Sequence, residues 1–105
     1  MSTYIMITRL SHDALKNPRA LETLSHDVSQ HIHRNCPEVR WQSSFVVLGA
    51  ADYVDIFTAP DNATATKVAT IIRTFGHATT EIWPATEWGE FQKLLKDLPP
   101  SLISA

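Results

Sequence analysis

A chain of 105 residues with a net charge of −2, 44% apolar and 19% charged, has room for one ordinary globular domain around one core. Its nine Lys and Arg are scattered along the chain, which argues against a nucleic-acid grip or a polybasic membrane patch. The apolar runs are too short for a bilayer span, Met1–Leu10 lacks the basic start and cleavage site of a signal peptide, and a single cysteine, Cys36, excludes an intramolecular disulfide. A cytoplasmic protein is the expectation.

In chain order, Thr3–Thr8 is a run of β-branched and apolar residues and predicts a first strand. Ser11–Leu15 reads as one capped turn. Asn17-Pro18 is a helix start, with Asn as N-cap and Pro at the first helical position. Leu21, Leu24, Val28 and Ile32 then recur at spacings of three and four, one apolar stripe of a helix that should stop near Asn35, ahead of Pro37. Two apolar runs, from about Arg40 to Leu48 and from Asp52 to Thr58, flank Gly49-Ala50-Ala51-Asp52 and predict a hairpin with Leu48 opposite Tyr53.

That register puts Trp41, Phe45, Val47, Val54 and Ile56 on one face, read as the core, and Ser44, Val46, Leu48, Tyr53, Asp55 and Phe57 on the other; a one-residue bulge in the turn would swap them. Pro60-Asp61-Asn62 starts a second helix with Ala65, Val68, Ile72 and Phe75 buried and Gly76 just past its end. Ala78–Trp83 alternates as a fourth strand ended by Pro84, and Thr86 is placed to cap a last helix carrying Trp88, Phe91 and Leu98. A single domain over residues 1–98 and a short tail over residues 99–105 are expected.

The order is β-α-β-β-α-β plus a terminal helix: an α+β, ferredoxin-like pattern with both main helices on one face of a four-stranded antiparallel sheet. The bare face is expected to carry Tyr4, Met6, Val46, Leu48, Tyr53, Phe57 and Trp83, too much apolar surface for a monomer, so a homodimer packed sheet to sheet is expected.

With that topology, the chain resembles the GYD-domain family over nearly its whole length, from Tyr4-Ile5-Met6 to Trp88. The landmarks are Val47–Tyr53, Ala59-Pro60-Asp61 and Phe75–Glu81. In the Gly-x-Tyr-Asp turn that names the family, Gly49 and Asp52 match while Ala51 stands in the tyrosine's place, so any role of that tyrosine is lost or altered here. The resemblance implies a dimeric α/β barrel and carries no agreed activity. Relatives by fold include cofactor-poor monooxygenases, haem-degrading enzymes, isomerases and ligand-sensing domains.

Among candidate chemical groups, Asp55 is a carboxylate in mid-strand between Val54 and Ile56, where it needs a partner or a wet cavity. It reads as a general base or ligand anchor, or as a half-exposed or interface charge, and its flanking by Tyr53 and Phe57 predicts a raised pKa. His77, Thr79, Glu81 and Trp83 alternate along the fourth strand and are expected on one face, with His77 either a ligand group or a helix-terminal residue, and Glu81 a groove or surface charge. On the first helix, His31 and His33 point about 200° apart and His26 lies two turns from His33, so no metal site is expected. Cys36 reads as a half-buried packing residue, and no glycine-rich phosphate loop is present.

Together these give a small-molecule-binding dimeric barrel with Tyr4, Tyr53 and Trp83 as apolar walls and Asp55, His77 and Glu81 as polar groups, without cofactor, metal, nucleic acid or membrane. The alternatives are a cofactor-poor monooxygenase- or isomerase-like enzyme using Asp55 or His77, and an assembly module without a ligand.

Overall fold

The computed structural model describes residues 1–103. The elements in order are β1 (Ser2–Leu10), α1 (His12–Leu15), α2 (Pro18–Asn35), β2 (Arg40–Val46), β3 (Tyr53–Ala59), α3 (Asn62–Thr74), β4 (Ala78–Ala85), α4 (Trp88–Asp97) and α5 (Pro100–Ile103). The strands form one antiparallel sheet in the order β2-β3-β1-β4, the α+β ferredoxin-like arrangement that the element order predicts.

The helix ends follow local chemistry. The Asn17 side chain accepts the Ala20 N–H with Pro18 behind it, and Asp61 accepts the Thr64 N–H at 2.8 Å. Gly76 follows α3 in the left-handed region, φ 75°, which a side chain would resist.

Two expectations at the C-terminal end change. β4 does not stop at Pro84 but runs through it to Ala85, with Pro84 opposite Tyr4. β4 is an edge strand, where a proline is tolerated if its missing N–H faces away from the one neighbouring strand. The residue before α4 is Glu87 rather than Thr86, and no side chain caps that helix. Of the expected tail, Pro100–Ile103 forms a helical turn, and residues 104–105 lie outside the described residues.

The core gathers Tyr4, Met6, Phe57 and Ala59 from the sheet, Ile32 and Cys36 from the end of α2, and Ala65, Val68 and Ile72 from α3. Tyr4 stacks on Phe57 with ring centroids 5.4 Å apart, and its hydroxyl donates to the Asn62 side chain at 2.7 Å. Cys36 is fully rather than half buried, and burial raises its thiol pKa, with Lys67 opposing and Glu38 adding to the effect. α2 packs mainly against α1 and α3 and leaves a gap between itself and the strands.

The helices cover the opposite sheet face from the one expected. Tyr4, Met6, Tyr53, Asp55 and Phe57 lie beneath α2 and α3, whereas Phe45, Val54 and Ile56 share the open face with Ile5, Ile7 and Trp83. The period-two grouping of the hairpin holds, because the actual register, Val46 opposite Tyr53, differs from the expected one by two residues and preserves parity. The cause of the inversion is that both faces are apolar, so alternation separates them without saying which one the helices take.

Trp41 breaks the grouping. A bulge between Trp41 and Ser43 turns its ring to the helix side, against Phe57 at 5.1 Å. Trp83 lies opposite Ile5 and not beside Tyr4. Leu48, expected on a strand face, is fully exposed at the hairpin tip.

The molecule is elongated, 56 × 30 × 18 Å, with a radius of gyration of 17.0 Å. A compact chain of this length would have about 13 Å. The difference reflects α4, none of whose residues is buried although Trp88, Phe91, Leu94 and Leu95, with Leu98 at its C-cap, form an apolar stripe.

Candidate functional site

The gap beneath α2 is a cavity of about 490 Å³. Its floor is the helix-side face of the sheet, with Met6 and Thr8 from β1, Tyr53 and Asp55 from β3, and Ser44 from β2. Leu24, Ser25, Val28 and Ser29 of α2 form the wall, and Ile72, Phe75 and His77 close the far end. The volume lies in the range of pockets that take a drug-sized molecule, and the lining is mostly apolar with a few polar groups, the usual composition of a ligand site.

Asp55 reaches the floor because it shares a face with Met6 on one neighbouring strand and with Ser44 on the other. Burial raises its carboxyl pKa, and the Ser44 hydroxyl beside it offsets this in part. No basic side chain is near enough to pair with it among the described residues: the ion pairs there are Arg9–Glu81, Lys16–Asp13 and Lys93–Glu90.

His77 arrives by a different route from the one expected. It precedes β4 and does not alternate with Thr79, Glu81 and Trp83; the turn after Gly76 carries it to the cavity end. Its carbonyl accepts the Ser11 N–H at 2.8 Å, which ties the start of β4 to the cap of α1. Phe75 is held beside it by an edge contact with the His31 ring, centroids 5.3 Å apart.

Three of the six residues named from sequence, Tyr53, Asp55 and His77, thus line one cavity. It lies under the helices and not between the open sheet face and a covering element. Tyr4 is in the core with its hydroxyl on Asn62. Glu81 and Trp83 lie on the open face, where Glu81 meets Arg9 at 3.5 Å. Sequence reasoning missed Ser44, Ser25 and Ser29. The available signals were the place of Ser44 in the hairpin and the i, i+4 spacing of the two serines beside the apolar stripe of α2.

The hairpin loop shows what Asp52 does. The β1–β3 ladder ends at Thr8 opposite Tyr53, and beyond it the Asp52 N–H donates to the Thr8 carbonyl at 2.9 Å. The Asp52 carboxylate then accepts the Leu10 N–H at 2.7 Å, where no backbone acceptor is left. Gly49 is not in the left-handed region, so its place in the motif is not explained by conformation. The GYD domain profile matches residues 4–95, which includes this loop and every strand's contribution to the cavity. The chain belongs to the GYD domain family. Neither a curated protein nor a solved structure matches it significantly.

In this GYD domain the motif's aspartate is a structural latch, and Ala51, in the place of the motif's tyrosine, is half buried in the loop. No group of three or more His, Cys, Asp and Glu suited to a metal ion occurs among the described residues. No helix among them is long and apolar enough to cross a membrane.

Proposed function

We propose that this GYD domain binds a small molecule in the cavity between α2 and the sheet, and that it does so as a homodimer. The observation that carries the binding reading is the gathering of Asp55, Ser44, Tyr53 and His77 in the lining of a mostly apolar cavity of about 490 Å³. A half-buried carboxylate without a cation partner is costly to keep in a core, and a ligand that satisfies it accounts for that cost.

The homodimer reading is supported by the open face, where Ile5, Ile7, Val54 and Ile56 adjoin Phe45 and Trp83, exposed by 56% and 50%. The unpacked apolar stripe of α4 adds to that surface, and a second copy would cover both.

Native mass spectrometry of the purified protein, followed by a fragment screen, tests the binding reading. A retained mass or a screened binder should be lost in Val28→Trp, which fills the cavity from α2 while leaving the open face untouched. A ligand held equally by the filled variant, or no binder in either experiment, refutes it.

A further inference from the structure

We infer that the ligand carries a cationic nitrogen on an apolar body and binds with that nitrogen against Asp55. The inference rests on the cavity being a binding site and adds the charge of what it holds. Among the described residues that line the cavity there is no Lys or Arg, and Asp55 is the one acidic side chain. An anionic ligand would bring a second negative charge beside Asp55 with no Lys or Arg in the lining to offset it, His77 being the one lining side chain that can carry a positive charge. A wholly apolar ligand would leave the carboxylate without a partner in partly desolvated surroundings.

The neighbours point the same way. Ser44 lies directly opposite Asp55 across the β2–β3 ladder, and Ser25 and Ser29 face the cavity from α2. These hydroxyls accept as well as donate hydrogen bonds, so they can share the remaining protons of an ammonium group. Burial raises the Asp55 pKa, and a bound cation would reverse that shift by favouring the ionised form. Met6, Val28, Ile32 and Ile72 leave the rest of the space to an apolar body.

The test uses the full chain and three probes of one shape: 1-naphthylmethylamine, 1-naphthylmethanol and 1-naphthoate, titrated calorimetrically at neutral pH. The amine should bind about tenfold more tightly than the alcohol, the usual gain of a charge-assisted over a neutral hydrogen bond. The carboxylate should bind most weakly. Asp55→Asn should bring the amine to within about twofold of the alcohol while leaving the alcohol's affinity nearly unchanged, the loss being confined to the charged contact.

Ser44→Lys, on the exposed edge strand, places a cation opposite Asp55 and should abolish the amine preference by a second route. It also keeps the test decisive if the Asp55 variant misfolds. Equal binding of amine and alcohol by the wild type, or an amine preference that survives both substitutions, overturns the assignment of charge and leaves the cavity a binding site. Binding of none of the three overturns both.

Discussion

Replacing Asp52 probes the hairpin latch directly. In Asp52→Ala the Leu10 N–H, now bonded to the carboxylate at 2.7 Å in a partly buried setting, loses its acceptor just past the end of the β1–β3 ladder. A hydrogen bond to a charged group contributes about 1.5–3 kcal/mol, and solvent reaching the loop should hold the loss near the lower end. For a domain of this size each kcal/mol lowers Tm by roughly 4–8 °C, so a drop of about 6–12 °C is expected. Asp52→Asn keeps a side-chain oxygen in the same place and tolerates the same turn, so it should lose less than half as much.

Urea unfolding at constant slope gives the energies, and amide exchange at Leu10 gives the location. Protection at Leu10 should vanish in the alanine variant and persist in the asparagine one. Alanine and wild-type proteins of equal stability, or Leu10 protection unchanged by alanine, would refute the latch.

The other predictions concern assembly, acid behaviour and metal. Light scattering at micromolar concentration should give at least twice 11.8 kDa; Ile7→Glu on the open face should lower it or unfold the protein, and Gln30→Glu on the exposed side of α2 should not. Because the folded-state pKa of Asp55 is raised, its ionisation penalty is absent below the unfolded value of 3.8, grows as pH rises above it and is complete once pH has passed the folded value, so Asp55→Asn should melt at or above wild type at pH 7 and converge on it below 3.8. Asp61 has the opposite sign: the Thr64 N–H, and then its hydroxyl, lower the pKa, so its stabilising effect is present above 3.8 and lost as pH falls through the folded value, and Asp61→Ala should flatten that acid limb in pH-dependent melts. Tag-free protein should hold less than one zinc, iron or copper per chain by elemental analysis; one per chain, lost on His31→Ala or His77→Ala, would overturn this.

What the sequence makes legible depends on how local the cause is. Asn17-Pro18, Asp61 and Gly76 act within a few residues, and the ends they predict are where the helices start and stop. The charge of Asp55 in an apolar strand marks the cavity floor without knowledge of the fold. The choice of covered face is different, because Ile5, Ile7, Val54 and Ile56 are as apolar as Tyr4, Met6 and Phe57 and no single strand distinguishes them. That choice is made jointly by the two helices packing on Tyr4 and Phe57. Trp41 and His77 were misplaced for smaller reasons, a bulge in one case and a turn that ends before the strand begins in the other.

Pro84 bears on how copies of this protein can meet. A sheet grows sideways when a new strand finds a continuous row of donors and acceptors along a flat margin. β4 carries a residue without an N–H on one margin, and the bulge near Trp41 breaks the spacing on the other, β2. Filaments built by lateral strand addition are therefore disfavoured at both borders. The proposed sheet-to-sheet dimer avoids both borders, and an association of that kind closes after two subunits instead of continuing without limit.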